Sequence, residues 1–387
     1  IQEAMIRRPA ALAAIETALA ENPVCALLGP RQCGKTTLAQ QVAATRKSHY
    51  FDLEEAPSRA RLEHAPGLTL RELPGLVVID EIQQLPGLFT TLRPLADRPG
   101  APARFLILGS ASPDLVKGAS ESLAGRVGFV DLGGFTLGDV GAAEERRLWL
   151  RGGLPRSFLA PNETISLRWR QGFIRTFLAR DIPQLGVRIA SETLRRFWMM
   201  VAHYHAQIWN GAELARSFGV SETAVRNYLD LLTGTFLLRQ LPPWFENLGK
   251  RQYKAPKVYV RDSGLLHRLL GIGTYDALLG HPKLGASWEG FALEQVFGVV
   301  GAEEAFFWGT HSGAELDLLL MLGGKRYGVE FKCADAPVMT KSLHIALDDL
   351  KLERAWIVYP GPENYPVHEQ VRVCSLADCL KELTTLT

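Results

Sequence analysis

Cysteine is scarce in this chain: the five in 387 residues are Cys25, Cys33, Cys333, Cys374 and Cys379, none in a C-x-x-C pair or beside histidines at zinc-finger spacing. That argues against a disulfide framework and a structural zinc site. An excess of charge of one sign is lacking too, since 43 Lys and Arg meet 41 Asp and Glu for a net charge of +2. A wholly basic chain is excluded, so any surface for a polyanion has to be local. No apolar run approaches a membrane span, and the opening stretch IQEAMIRRPAALAAIETALAEN alternates charge with alanine like an amphipathic helix, without the apolar core of a signal peptide. The expected location is therefore the cytoplasm, with no membrane partner. What the chain does have is 47% hydrophobic residues, enough to bury sizeable cores at a length above the usual single-core size.

The chain is organised around residues 24–37, VCALLGPRQCGKTT. An apolar run short enough for a buried strand empties into Gly29, Pro30, Arg31, Gln32, Cys33, Gly34, Lys35 and Thr36, and a helix-forming segment opens at Thr37. Two glycines at this separation let backbone N–H groups wrap a phosphate, while the helix N-terminus adds its partial positive charge. Lys35 can reach the β and γ phosphates of ATP, and Thr36 can offer its hydroxyl to Mg²⁺. Downstream, LVVIDE at 76–81 suits a central parallel strand that delivers two carboxylates at its C-terminal edge. Asp80 is placed to hold Mg²⁺, and Glu81 to orient or deprotonate the attacking water. ATP hydrolysis is the expectation, because the second carboxylate has no evident use in a protein that only binds nucleotide.

Further strands read at 50–53, 105–108 and 127–132 give an α/β alternation and hence a parallel sheet. Ser110, at the end of one strand, can touch the γ phosphate or position water; a turn with a helix N-cap is the alternative. Arg126, closing SESLAGR, can stabilise charge on a transferring phosphoryl group, in cis or in a neighbouring subunit, or sit in a surface salt bridge.

With these motifs in order, residues 1–155 resemble the AAA+ ATPases, in particular the prokaryotic branch whose cradle reads GPRQxGKT and whose later segment reads SLAGR. The resemblance implies a P-loop core at 1–145, a helical lid over 146–190 that starts near the GGLP of 152–155, and Ser110 as the sensor residue. It also implies a homo-oligomeric ring, a hexamer being the expected form, with ATP bound at the subunit interfaces. Within the lid, residues 164–184 place Trp169, Phe173 and Phe177 on one helical face, with Arg168, Arg175 and Arg180 mostly off it.

A third segment, 191–270, reads as a winged helix-turn-helix. A short helix ends at Phe218, Gly219 supplies the turn, and Ser221 caps a second helix whose Val225, Leu229 and Leu232 face inward. Glu222, Thr223, Arg226 and Asn227 then point outward where such proteins meet DNA base edges. Residues 239–268 hold seven Lys and Arg against Glu246 and Asp262, with Lys250, Arg251, Lys254 and Lys257 available for DNA phosphates. Winged helices also dock proteins, and Glu222 opposes DNA, so a protein partner stays open.

The remainder, 271–387, changes element order to a helix, a three-stranded run, a helix and a strand. Glu330 and Lys332 share a face at strand period, with Phe331 on the other. Asp317 on the preceding strand can join Glu330 around a divalent metal, and the Lys332 ammonium can position or help activate a water against a phosphodiester. This part resembles the restriction-endonuclease-like superfamily with its PD-(D/E)xK signature, here Asp317, Glu330 and Lys332. The resemblance implies an extra metal-binding acid on the preceding helix, Glu294, with Glu289 as its rival. The whole chain looks like a family of bacterial and archaeal AAA+ proteins that end in this nuclease-like domain. The function expected is an ATP-dependent machine that remodels or translocates duplex or branched DNA, with a metal-dependent nuclease site. Its alternatives are a non-cleaving DNA motor that uses the nuclease fold to grip, and a signalling ATPase whose winged helix binds protein.

Overall fold

The computed structural model describes residues 6–100, 103–110, 113–186, 189–246, 249 and 252–386. Of the residues named above, Lys250 and Arg251 lie outside the described ones. Two compact units are formed: one from Ile1–Val140 with Leu154–Arg156 and Gly234–Phe236, the other from Gly141–Gly153, Ser157–Thr233 and Leu237–Thr387. The lid, winged-helix and nuclease-like segments, read from sequence as separate, thus fall largely within one unit.

In the first unit the apolar runs become strands β1 (Val24–Gly29), β2 (Ser48–Asp52), β3 (Gly75–Asp80), β4 (Ala103–Ser110) and β5 (Val127–Asp131). They pair in parallel in the order β2-β3-β4-β1-β5. β1 is buried throughout and β3 is buried beyond Gly75, as continuous apolar strands must be when both faces are covered. The helices Pro9–Glu21 and Lys35–Ala44 pack against this sheet, and Leu28, Val77, Ile79, Leu92, Phe105 and Ile107 belong to its core. Parallel registry gathers the strand ends: Gly29 lies opposite Ser110, and Asp52 opposite Asp80. Gly29 has no room for a side chain, since a Cβ would fall 2.1 Å from the Leu132 carbonyl oxygen.

The second unit contains two sheets. Helix Ser191–His203, strand β6 (Gln207–Ile208), helices Gly211–Phe218 and Glu222–Gly234, and strands β7 (Leu238–Leu241) and β8 (Lys257–Val260) follow one another. Their antiparallel strands are ordered β6-β8-β7. Gly219, at φ 70°, ends the first helix of the pair in the left-handed region that glycine tolerates. Ser221 Oγ accepts from Ala224 N at 3.2 Å to start the second, whose Val225, Leu229 and Leu232 are fully buried.

The larger sheet holds β9 (Ala305–Gly309), β10 (Glu315–Leu322), β11 (Lys325–Phe331), β12 (Arg354–Tyr359), β13 (Tyr365–His368) and β14 (Val371–Ser375), in the order β13-β14-β12-β11-β10-β9. β9, β10 and β11 run antiparallel, and β12 joins β11 in parallel after helix Lys341–Leu350, so the sheet is mixed.

Residues 164–184 fold as helix Glu163–Thr176 with a π-type turn at Phe177–Asp181. The rings of Trp169, Phe173 and Phe177 succeed one another at 5.4 and 6.3 Å, and Arg168, Arg175 and Arg180 are exposed. Arg170 breaks the pattern: it is fully buried and donates to the carbonyls of Leu150 and Gly264 at 3.2 and 2.9 Å. Among the described residues no helix is long and apolar enough to cross a membrane.

Helix Leu284–Val300 lies in the second unit through Trp288, which is fully buried, stands 5.1 Å from the Trp149 ring and donates from Nε1 to Val358 O at 3.2 Å. Trp288→Ala removes this contact and leaves a cavity, and it is expected to cost about 3–5 kcal/mol. The check is a lower urea midpoint for the transition of the whole chain.

Candidate functional site

The cradle is built by a strand end and a helix start. β1 stops at Gly29, the loop turns through Gln32 at φ 60° and Gly34 at φ 102°, and Lys35 opens the helix. Lys35 is buried, and its ammonium donates to the Gly29 and Pro30 carbonyls at 3.0 and 2.9 Å, which holds it over the loop. Arg31 pairs with Glu54 at 3.2 Å. Thr36 Oγ1 donates to Asp80 Oδ2 at 2.8 Å. The same oxygen accepts from Tyr50 OH at 2.7 Å, and Oδ1 accepts from Glu81 N at 2.9 Å. Burial, reinforced by the Asp80 hydrogen bond and charge, raises the Tyr50 pKa and keeps the phenol a donor. The hydroxyl of Thr36 and the carboxylate of Asp80 are hard oxygen donors at one point beside the loop, a set that fits Mg²⁺.

Glu81 adopts φ 56°, a left-handed backbone that costs a non-glycine residue on the order of 1–3 kcal/mol. Burial raises its carboxyl pKa, against the pull of the Lys35 ammonium. Gln83 Nε2 donates to it. Ser110 ends β4 opposite Gly29, and its Oγ has no hydrogen-bond partner among the described residues. Arg126 is held by Asp97 through Nε at 2.5 Å and Nη2 at 2.9 Å, both side chains being partly exposed.

Two residues of this region escaped the sequence reading. Tyr50 is one; only the strand order, which sets β2 beside β3, brings its hydroxyl to Asp80. Arg8 is the other. It is buried and donates to the Cys33, Gly133 and Gly134 carbonyls at 3.2, 3.1 and 2.7 Å and to Asp139 at 3.1 Å. That ties the loop to the chain following β5, and no local motif announces it.

In the second unit, antiparallel pairing with Leu318 opposite Val329 sets Asp317 and Glu330 side by side. Both are buried. Asp317 Oδ2 accepts from Phe331 N at 3.0 Å, and Glu330 Oε1 stands 2.6 Å from the Lys332 ammonium. Glu330 Oε2 is buried without a partner among the described residues. Burial, then the Asp317 charge, pushes the Glu330 and Glu289 carboxyls up.

The structure corrects two expectations here. Glu294 does not join Asp317: Arg239 Nη2 and Arg261 Nε hold it at 2.9 and 3.1 Å. Burial alone would raise its carboxyl, yet the two guanidinium groups bring it down to about 2. Five positions along a helix is a rotation of about 140° to another face, and the acid that reaches the cluster is Glu289. Lys257 is the second correction. Expected on a phosphate, it is 3% exposed, and its Nζ stands 3.2 Å from Asp317 and 3.3 Å from Glu289, in contact with Glu315 as well. Burial would lower its pKa, but Glu289, Asp317 and Glu315 raise it overall. Tyr259, two along β8 on the same face, donates to Glu289 at 2.7 Å. That shared face was legible in the alternation of KVYV.

Thr223, Arg226 and Asn227 are exposed, as is Lys254. Arg226 pairs with Asp230 at 3.3 Å. Trp209, Thr223, Arg226, Tyr253, Lys254 and His311 line an open groove of about 1510 Å³ that reaches Lys257 and Glu315.

A family model described as an AAA domain matches residues 21–140, and two domains of unknown function, DUF8612 and DUF4143, match 143–276 and 284–379. The chain is 53% identical over 367 residues to the uncharacterized protein Rv2008c of Mycobacterium tuberculosis, and equally to Mb2031c of Mycobacterium bovis, with 95% of this chain and 83% of each relative covered. Among solved structures, a Walker-type ATPase of Pyrococcus abyssi is similar over 70% of this chain and 97% of its own at 15% identity and TM-score 0.48. The RuvB Holliday junction branch migration motor of Thermotoga maritima is similar over 61% and 90% at 17% identity and TM-score 0.28. The AAA match coincides with the unit that holds the cradle, and at 53% identity over nearly its whole length the chain belongs to the family of these mycobacterial proteins and is an ATPase of the AAA class.

Proposed function

We propose that the chain is an ATP-driven DNA-binding machine in which nucleotide turnover in the first unit serves DNA held by the second. Residues 29–37 cradle the phosphates, with Lys35 at the β and γ groups, and Thr36 and Asp80 hold Mg²⁺. The metal, when bound, neutralises charge on the β and γ oxygens. Tyr50 fixes the Asp80 carboxylate through its hydroxyl. Glu81, aimed from a strained turn at the end of β3, accepts the proton of the attacking water. Ser110 senses the γ phosphate, a role supported by its position opposite Gly29 and its unpartnered hydroxyl. Arg126 serves a neighbouring subunit in a homo-oligomeric ring; its exposed pairing with Asp97 leaves it free to exchange partners at low cost.

For DNA, the observation that carries the reading is the second helix of the pair, which buries Val225, Leu229 and Leu232 and turns Thr223, Arg226 and Asn227 outward beside an open groove. The order helix, strand, helix, helix, hairpin supports a winged helix, whose second helix meets the major groove. Element order in the larger sheet, with an antiparallel run followed by a helix and a parallel strand, supports the restriction-endonuclease-like reading. Lys257 among the acids favours a domain that grips DNA over one that cuts it. A protein partner is the second reading, favoured by Glu222 and Asp230 on the exposed helix face and by the withdrawal of Arg239, Lys257 and Arg261 into internal pairs.

Lys35→Ala is expected to abolish ATP binding in an equilibrium titration. Glu81→Gln should keep ATP bound while turnover falls about 10²–10⁴-fold, the usual worth of a general base; ordinary turnover would take Glu81 out of that role. Tyr50→Phe removes one of the two hydrogen bonds to Asp80 Oδ2 and leaves the one from Thr36, and the Mg²⁺ concentration for half-maximal ATPase should rise about 10–100-fold, as for other outer partners of metal ligands. For the DNA surface, Arg226→Ala should weaken duplex binding and lower the slope of log affinity against log salt by about one. Unchanged affinity and slope would turn the groove over to a protein partner.

A further inference from the structure

The buried acids of the second unit raise a question of charge that the ATPase leaves unanswered. A hard divalent ion needs carboxylate oxygens converging on one point, and here those oxygens are engaged otherwise. Asp317 gives Oδ1 to Lys257 and Oδ2 to the Phe331 amide. Glu289 Oε1 serves both Lys257 and Tyr259, and Glu330 Oε1 serves Lys332. Among the described residues no group of three or more His, Cys, Asp or Glu is arranged to hold a metal ion. A nuclease metal therefore does not fit this arrangement.

The point on which the carboxylates converge is occupied by the Lys257 ammonium. It touches Asp317, Glu289 and Glu315 at once, and its residue is buried. Its backbone has little freedom, because β8 is paired on both sides, Val258 with Gln207 of β6 and with Gln240 of β7. We infer that Lys257 is the resident cation of this cluster, standing where the resemblance puts a divalent ion, and that removing its charge opens a site for Mg²⁺ or Mn²⁺ between Asp317 and Glu289. The physical reason is that carboxylates out of water demand a counter-charge. Once the ammonium is gone, Asp317 Oδ1 is released and Glu289 Oε1 keeps only the Tyr259 hydroxyl, which leaves two carboxylates short of a counter-charge and offering oxygens of the kind a hard cation takes. The inference stands whether the groove holds DNA or protein.

The test uses the nucleotide-free full chain titrated with Mn²⁺ and read by electron paramagnetic resonance. Wild type and Asp317→Asn are expected to bind the same amount of Mn²⁺. Lys257→Met, which keeps the length of the side chain and drops its charge, should gain a saturable site half-filled on the order of 10⁻⁴–10⁻³ M, the range of weaker oxygen-ligand cation sites. That gain should vanish in Lys257→Met with Asp317→Asn. The inference is overturned if Asp317→Asn removes bound Mn²⁺ from the wild-type chain, or if folded Lys257→Met gains none. Should Lys257→Met fail to fold alone, recovery of its fold by Mn²⁺ supports the inference, and without recovery the wild-type comparison with Asp317→Asn decides.

Discussion

A strand buried on both faces can present chemistry only at its ends, and the first unit depends on that constraint. β1 and β3 have no solvent-facing side from which to offer a polar group along their length. Gly29 with the loop after it, and Asp80 with Glu81, therefore come at the last residues of their strands. Parallel pairing then puts these ends at the same edge. The Thr36 to Asp80 hydrogen bond at 2.8 Å joins the two ends and fixes where a hard cation can stand. Tyr50, from a strand not otherwise involved, holds the same carboxylate oxygen, so Asp80 is determined from two directions. Strain at Glu81 belongs to the same geometry, because a left-handed residue directly after β3 breaks the strand and re-aims its side chain.

Charge in the second unit obeys a different constraint. A buried ion must be paired, and losing one partner costs more than the pair contributes. Glu294 satisfies this with two guanidinium groups, whose charges hold its carboxyl down to about 2 despite burial. Arg170, with carbonyls as its named acceptors, gives way instead, and burial draws its pKa to about 10. The cluster of Asp317, Glu289 and Glu330 lies between these cases: two ammonium groups share three acids, of which Asp317 and Glu330 are buried, and the two glutamates are pushed up.

Much of this architecture was legible beforehand, and the reason is local. Continuous apolar runs, a glycine-bounded loop and a strand ending in two carboxylates are each complete within a few residues. The strands read at 76–81 and 105–108 fall within a residue or two of β3 and β4. The helix pair around Gly219 was legible for the same cause, its turn residue and its Ser221 cap being neighbours in sequence. What could not be read depends on which elements become neighbours. Tyr50 meets Asp80 only because β2 lies beside β3, and Arg8 meets the cradle across more than twenty residues. The choice between Glu289 and Glu294 needed the direction in which one helix faces, and a helix that buries most of its circumference gives no amphipathic stripe to decide it.

Counting cations along a chain is a weak guide to where they act, and Lys257 shows why. In sequence it belongs to a run of basic residues, and net local charge is what attracts a polyanion. In space it belongs to the acids of β10 and of helix Leu284–Val300, while Arg239 and Arg261 belong to Glu294. A lysine that opens an apolar strand, followed two residues later by a tyrosine on the same face, is already turned toward whatever that face packs upon. For a β-strand, then, the parity of a charged residue says more about its destination than the sign of its sequence neighbours. By that rule Lys257 leaves the set of residues open to the proposed nucleic-acid contact, while Lys254, Thr223, Arg226 and Asn227, all exposed, stay in it.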